Sequence, residues 1–192
     1  MEVVTSFSYA QFTLGPSQIR AELAAFLEMV QEARPRTILE IGTGRGGTTV
    51  LLACAAPDDV LLVSVDLPIG ASRAPLLAAA GRASQQIKCV RADSHDAGTR
   101  RKVEALFGGR QVDLLFIDGD HASEGVRKDL ELYAPLVKPG GWIAFHDIVP
   151  GVHEAVGGVP ELWVELRAKY QAHEFVADWG QGGFGIGAYR KT

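Results

Sequence analysis

The chain has 192 residues, of which 47% are hydrophobic, and a formal net charge of −4. This length and apolar content are enough for the core of one domain and leave no room for a second large one. The acidic balance argues against nucleic acid as a partner, because a surface that binds nucleic acid has to be basic. We therefore expect a single domain over 1–192 that acts on small molecules, with 1–36 as an N-terminal helical leader or lid.

The sequence carries no sign of membrane association or disulfide chemistry. No basic region followed by an apolar core is found near the N-terminus, and no apolar run is long enough to span a bilayer. Cys54 and Cys89 have neither a CxxC spacing nor a histidine partner, which favours reduced, buried thiols. These features predict a cytoplasmic protein.

Apolar, strand-like runs alternate with helical stretches along the chain. After a helix over 16–33, strands are predicted over 37–41, 60–65, 87–91, 112–117 and 141–146. Helices are predicted between them over 47–56, 74–83, 98–107 and 122–137, and a helix over 158–170 and strands over 173–177 and 184–190 follow. This alternation predicts an α/β, doubly wound fold with a parallel sheet covered on both faces. The short, glycine-rich connection over 178–183 suits a hairpin, so the last strand is expected to insert antiparallel.

A glycine-rich turn follows the first predicted strand. The strand ends near Glu40, and Gly42, Thr43 and Gly44 lead into the next helix. Backbone N–H groups and a helix N-terminus therefore face a ligand without obstruction by side chains. Asp66 ends the second strand-like run, where its carboxylate can bond both hydroxyls of a ribose. A nucleotide-like cofactor is expected at this turn.

The position of Glu40 separates two kinds of cofactor. A dinucleotide site uses its glycines to bring the backbone close to a pyrophosphate. Glu40 lies two residues before the first glycine, where a buried carboxylate would repel phosphates but could anchor a cationic ligand, directly or through water. The pattern therefore favours a cationic cofactor, and a nicotinamide dehydrogenase is the alternative.

Two further apolar runs end in carboxylates and imidazoles. Asp118 and His121 follow the run over 112–117, and His146 and Asp147 end the run over 141–147. In a parallel sheet both ends face the ligand crevice, so Asp118 and Asp147 are expected to converge. Two carboxylates repel, so either one takes up a proton or a divalent metal lies between them. Oxygen ligands favour magnesium, whereas a histidine in the set would admit manganese, iron or zinc.

The run 40–46 (EIGTGRG) looks like the first motif of class I S-adenosylmethionine (SAM) methyltransferases. With 118–121 (DGDH), 124–130 (EGVRKDL), 136–141 (LVKPGG) and 146–147 (HD), it resembles a small-molecule O-methyltransferase family over about 15–188. That family includes sugar and macrolide O-methyltransferases and the cephalosporin-hydroxylase-like proteins, with catechol O-methyltransferase more distant. The resemblance implies a Rossmann-like, seven-stranded class I fold that is parallel except for its last strand.

The resemblance also implies the site residues. SAM would be bound by Glu40, Gly42, Thr43, Gly44, Asp66, Leu67 and Asp118, with Asp93 and Ser94 beside the adenine. Asp118 and Asp147 would be metal ligands. Catechol-type enzymes follow the second aspartate with an asparagine as third ligand, whereas this chain has Ile148, so His146 or water is expected to fill that position.

The chemistry that follows is methyl transfer to a hydroxyl of a small metabolite, such as a sugar or natural product. SAM carries an activated methyl group, so the protein has to align an oxygen with it and remove that oxygen's proton. A divalent ion, magnesium or another, would lower the pKa of the hydroxyl, and His121 could accept the proton or merely begin the next helix. The alternatives are a metal-independent N-methyltransferase and a non-catalytic SAM-binding module. Little chain remains to build an acceptor pocket, so a homodimer is expected.

Overall fold

A computed structural model gives the fold of residues 15–67, 69 and 73–192. The strands are β1 (Thr37–Ile41), β2 (Leu61–Asp66), β3 (Gln86–Arg91), β4 (Val112–Ile117), β5 (Val137–His146), β6 (Ala172–Phe175) and β7 (Ile186–Arg190). The α-helices are α1 (Arg20–Ala33), α2 (Gly47–Ala55), α3 (Arg73–Ala79), α4 (Ala97–Phe107), α5 (Ser123–Tyr133), α6 (His153–Val156) and α7 (Val159–Arg167). The part of the predicted leader over 1–14 lies outside the described residues.

The strands form one seven-stranded sheet with the order β3-β2-β1-β4-β5-β7-β6. Strands β1 to β5 pair in parallel, and β7 pairs antiparallel with both β5 and β6. The predicted doubly wound fold with an antiparallel last strand is thus confirmed. Because β1 to β5 are parallel, their carboxyl ends lie together on one side of the sheet.

The central strands are mostly apolar and almost completely buried because helices cover both faces of the sheet. All five residues of β1 are buried, as are the first five of β2. On one face Leu23 and Phe26 of α1 pack with the apolar side of α2. On the other face Phe107, Tyr133 and Trp163 bring α4, α5 and α7 against the sheet. This burial on both faces explains why continuous apolar runs, rather than alternating ones, mark these strands.

Several predicted boundaries were wrong, and proline or ligand-facing backbone explains them. The first helix begins at Arg20, not at 16, because the segment before it lies against the carboxyl ends of the parallel strands. The helix predicted over 122–137 ends at Tyr133 and continues as a 3₁₀ turn that contains Pro135, whose ring cannot donate a backbone hydrogen bond. Strand β5 then begins at Val137 and is irregular between its pairings with Val112 and Leu114.

Other differences lie at the end of the chain. The short helix α6 was not predicted, and α7 ends at Arg167 rather than at 170. The last strand begins at Ile186 because Phe184 and Gly185 have positive φ angles, which a strand does not accommodate. Cys54 and Cys89 are free but only half-buried. Among the described helices, none combines the length and the apolar character needed to span a bilayer.

Candidate active site

A cavity of about 770 Å³ opens at the carboxyl ends of the parallel strands. Nearly all of the predicted site residues line it: Gly42, Thr43, Gly44, Asp66, Leu67, Asp93, Ser94, Asp118, His121, His146 and Asp147. The leader residues 15–18 and the segment 182–184 complete its walls. Glu40 is the exception, since it lies beneath the turn and is fully buried.

The glycine turn is shaped by contacts that a side chain would prevent. Gly42 has a φ of +94°, and a Cβ atom there would lie 1.9 Å from the carbonyl oxygen of Asp118. This close approach brings the end of β1 directly against the end of β4. Gly44 donates its backbone N–H to Asp66 Oδ2 over 2.6 Å, so the turn and the end of β2 are also joined. Asp66, which is predicted to bind the ribose, is therefore held in place by the glycine turn.

Glu40 is held by hydroxyl groups. Thr49 and Ser64 each donate to Glu40 Oε2 over 2.5 Å, and the Thr43 hydroxyl lies 2.6 Å from that of Ser64. Oε1 has no hydrogen-bond partner among the described residues. Burial raises the pKa of Glu40 to about 8, and the two hydroxyl donors offset only part of that effect. The structure thus provides a buried acid below the turn, and its contact with a cofactor remains a prediction.

Gln18, which sequence reasoning missed, connects the leader to both ends of the cavity. Its Nε2 donates to Asp118 Oδ2 over 2.6 Å, and its Oε1 accepts from the Thr48 hydroxyl over 3.0 Å. Pro16 packs against Gly47, where a Cβ atom would lie only 2.6 Å from the proline nitrogen. The leader therefore lies directly over the start of α2. No local pattern marks Gln18, because its partners are 30 and 100 residues away in the chain.

Two aspartates and two histidines converge at the other end of the cavity. His146 Nδ1 lies 3.2 Å from Asp118 Oδ1 and 3.0 Å from Asp147 Oδ2. His121 Nε2 lies 3.5 Å from Asp118 Oδ1, and His121 Nδ1 lies 3.5 Å from Asp147 Oδ2 and 2.6 Å from the carbonyl oxygen of Ala155. The predicted convergence of Asp118 and Asp147 is seen in the structure.

The charges of this group perturb one another strongly. The hydrogen bond with Asp118 raises the pKa of His121 to about 9. Burial alone would lower the pKa of His146, but the charges of Asp118 and Asp147 raise it to about 10. Burial would likewise raise the pKa of Asp118, but the two histidines lower it to about 2. The carboxylates therefore attract positive charge, which protons or a metal ion can supply.

The donor set fits a divalent metal ion. Asp118, His121 and Asp147 each offer a ligand atom, and these atoms all lie within 4.8 Å of one another. Two carboxylate oxygens and one imidazole nitrogen suit manganese, iron or zinc, and also magnesium if water completes its shell. His121 could thus supply the third donor that Ile148 cannot. His146 contacts both carboxylates from the protein interior, and its role as a ligand stays a prediction.

Asp147 is positioned by an unusual backbone and by a distant glutamate. It has a φ of +62°, and its Oδ1 accepts the backbone N–H of Phe184 over 3.1 Å. The segment around Phe184 is held by Glu22 of α1, whose carboxylate accepts from the backbone of Ala177 and Gly185 and from the side chain of Gln181. Sequence reasoning missed Glu22, since a buried glutamate within an amphipathic helix has no local signature.

Comparison with known proteins agrees with this geometry. The family profile described as "Methyltransferase domain" matches residues 39–148, which is more than half of the chain. The fold is similar to that of the O-methyltransferase TomG from Streptomyces achromogenes, solved in complex with SAM, with 20% identity and a TM-score of 0.68. That alignment covers 100% of this chain and 91% of TomG.

A second similar structure is the MycE methyltransferase of mycinamycin biosynthesis, solved with Mg and SAH, the demethylated form of SAM. Its TM-score is 0.52 at 20% identity, over 65% of this chain and 31% of MycE. Uncharacterised relatives from Acanthamoeba polyphaga mimivirus and Sinorhizobium fredii are 29% and 37% identical over 46% and 37% of this chain. The matches span only 41% and 8% of those two proteins.

The family match and the fold lead to the same conclusion. The profile covers the stretch from β1 to the residue after Asp147, and this stretch contains the glycine turn and both aspartates. The seven-stranded sheet with one antiparallel strand is the fold of class I methyltransferases. The chain therefore belongs to the methyltransferase-domain family.

Proposed function

We propose that this protein transfers the methyl group of SAM to a hydroxyl group of a small molecule, assisted by a divalent metal ion. The observation that carries this proposal is the layout of the cavity. A glycine turn and a carboxylate at the end of β2 form one end, and the group Asp118, His121 and Asp147 forms the other. A methyl donor at the first end would point its reactive carbon towards the second.

The cofactor end supports an adenosyl ligand with a positive charge. Asp66 is partly exposed at the cavity wall and could accept the ribose hydroxyls, and the backbone of Gly42 and Gly44 leaves room beside it. Glu40 below the turn adds a buried acid, and a cationic ligand beside it would favour its ionised form. TomG and MycE, which share the fold, were solved with SAM and SAH, respectively.

The reaction end supports deprotonation of a hydroxyl group. A metal ion held by Asp118, Asp147 and His121 would lower the pKa of an acceptor hydroxyl and orient it. His146 contacts both carboxylates from the protein interior, and Gln18 donates to Asp118, so these two residues help to fix the geometry of the group. The walls next to this group, formed by 155–156 and 182–184, provide the space for the acceptor.

Methyl transfer from radiolabelled SAM to a panel of catechols, glycosides and hydroxylated macrolides tests this proposal. We expect label on an acceptor oxygen, loss of turnover with EDTA, and recovery with Mg²⁺ or Mn²⁺. Asp120→Asn is the control for removing a carboxylate near the metal site, and it should keep its response to EDTA and metal. Asp120 lies outside the three-residue group, and an asparagine can still accept the N–H of Ala122. Turnover that survives complete chelation would refute the role of the metal ion. Label on a nitrogen atom instead of an oxygen atom would refute the hydroxyl acceptor.

A further inference from the structure

Each of the two aspartates at the proposed metal site has one oxygen near the histidines and one oxygen that is held from another side. Asp118 Oδ1 and Asp147 Oδ2 lie 3.2 and 3.0 Å from His146 Nδ1. The second oxygen of Asp118, Oδ2, accepts a hydrogen bond from Gln18 Nε2. The second oxygen of Asp147, Oδ1, accepts the backbone N–H of Phe184. This arrangement presents one oxygen of each aspartate to the other donors of the group.

The segment that carries Phe184 is tied to α1 by the buried carboxylate of Glu22. Its Oε1 accepts the backbone N–H of Ala177 over 2.9 Å and Nε2 of Gln181 over 2.7 Å. Its Oε2 accepts the backbone N–H of Gly185, the residue after Phe184, over 3.0 Å. A buried carboxylate is costly unless donors surround it, and these three donors offset that cost. Glu22 is not among the described residues that line the cavity, so it can act on the cavity only through this segment.

The backbone is strained at both residues of the bond between Phe184 and Asp147. Their φ angles are +63° and +62°, in a region that residues other than glycine seldom adopt. In the described part of the chain, Arg34 is the only other non-glycine residue with a positive φ angle. Such conformations persist only where surrounding contacts hold them, and they occur mainly at functional sites. The bond from Gly185 to Glu22 is one such contact.

We propose that Gln18 and Glu22 form a clamp that holds Asp118 and Asp147 in place as ligands and thereby sets the affinity of the metal site. The two residues are positioning residues, four apart in the chain, and each supports a different aspartate. Two carboxylates that share one ion repel each other before the ion binds. Contacts that already hold them together reduce the cost of ordering them when it binds. This inference rests on the proposed function, since it requires a metal ion in the cavity.

Binding of Mn²⁺ to the full chain, measured without cofactor or acceptor from the electron paramagnetic resonance signal of free Mn²⁺, tests the proposal. Glu22→Gln keeps one oxygen for Ala177 and Gln181, but its NH₂ group cannot accept the N–H of Gly185. The Kd for Mn²⁺ should rise by about tenfold or more, as is typical when a residue that supports a metal ligand is lost. Calorimetry should find the SAH affinity of this variant within about threefold of the wild type, because Glu22 lies outside the cavity wall.

A second variant tests the other half of the clamp. Gln18→Met keeps the length of the side chain and removes the bond to Asp118, and it should also raise the Kd for Mn²⁺ by about tenfold. Thr37→Val is the matched control, since it removes a buried, long-range bond to the carbonyl oxygen of Gln111 at the opposite ends of the strands. This control should lower the free energy of unfolding in urea and bind Mn²⁺ like the wild type.

The outcomes separate the clamp from a role in stability alone. If Glu22 only ties α1 to the segment 177–185, Glu22→Gln should be less stable than the wild type and bind Mn²⁺ equally well. Wild-type Mn²⁺ affinity in either folded variant would therefore overturn the proposal, and Gln18→Met decides the question if Glu22→Gln does not fold. Equal losses of Mn²⁺ and SAH affinity in Glu22→Gln would also overturn it, because they would indicate a cavity disturbed as a whole. A wild type that binds no Mn²⁺ would instead refute the metal ion of the proposed function, and this inference with it.

Discussion

Replacement of Glu40 by glutamine should remove a large pH dependence of stability. Burial raises the pKa of Glu40 from 4.5 to about 8, so the folded protein keeps a proton that the unfolded chain releases near its ordinary pKa. Folding therefore takes up a proton between these pH values. The contribution of Glu40 to the free energy of unfolding should be highest below pH 4.5, fall as the pH rises, and level off above pH 8.

The size of the effect on the free energy of unfolding follows from the shift in the pKa of Glu40. At 1.36 kcal/mol for each tenfold change in the proton equilibrium, the raised pKa of Glu40 lowers the free energy of unfolding by about 4 kcal/mol between pH 5 and pH 8.5. Glutamine is a close substitute for the protonated acid, because Thr49 and Ser64 donate to the same oxygen and the amide carbonyl can accept both bonds. Its NH₂ group then takes the place of the unpartnered Oε1.

Urea denaturation of the wild type and Glu40→Gln at several pH values provides the measurement. The difference in the free energy of unfolding should grow in favour of the variant by about 4 kcal/mol from pH 5 to pH 8.5. Glu104→Gln is the control, since Glu104 is half-exposed on α4 and pairs with Arg100 at the surface. Parallel stability curves for the wild type and Glu40→Gln would refute the reasoning.

Three further predictions concern the cavity. Asp66→Ala should weaken SAH binding by about 1.5–3 kcal/mol, because a charge-assisted bond to the ribose is lost, as calorimetry would measure. Asp147→Asn should lower turnover by about a hundredfold or more with little change in SAH affinity. Asparagine tolerates the positive φ angle and can still accept the N–H of Phe184, so this variant removes only the charge. His121→Ala should lower kcat by roughly 10² to 10⁴ at unchanged SAH affinity if His121 accepts the proton or holds the metal.

Each of these three predictions has a result that contradicts it. Unchanged SAH affinity in a folded Asp66→Ala variant would remove Asp66 from the cofactor site. Equal losses of turnover and SAH affinity in Asp147→Asn would indicate a disturbed cavity rather than a lost metal ligand, and circular dichroism would show whether the fold is intact. A His121→Ala variant with wild-type turnover would show that His121 has no catalytic or metal-binding role and only packs beside the two aspartates.

The sequence was informative wherever function follows from position along a strand. The apolar runs are continuous because both faces of the sheet are covered, and in a parallel sheet their ends converge. The locations of Asp66, Asp118 and Asp147 at the cavity therefore followed from the pattern alone. Residues that act through long-range contacts could not be found in this way. Gln18 and Glu22 touch partners 100 to 163 residues away, and nothing in their neighbourhoods distinguishes them from other polar helix or loop residues.

The ends of helices and strands were less predictable where the backbone or side chains bind residues of the cavity. Residues 15–19 look compatible with a helix, but Gln18 is drawn away by bonds to Asp118 and Thr48. The 184–185 stretch looks compatible with a strand, but the backbone N–H of Phe184 donates to Asp147 and is not available for pairing between strands. The backbone at these points is shaped by partners that a local pattern does not contain.

The contacts of Glu22 with 177–185 determine how much of the chain has to be synthesised before the fold can be completed. Glu22 leaves the ribosome well before its hydrogen-bond partners, which are 155 to 163 residues further along the chain. Strand β7 (Ile186–Arg190), which completes the sheet between β5 and β6, also emerges after these partners. Until then β5 has an open edge, and the loop that holds Asp147 has no anchor. Nascent chains should therefore remain prone to aggregate until residues 177–190 have been synthesised.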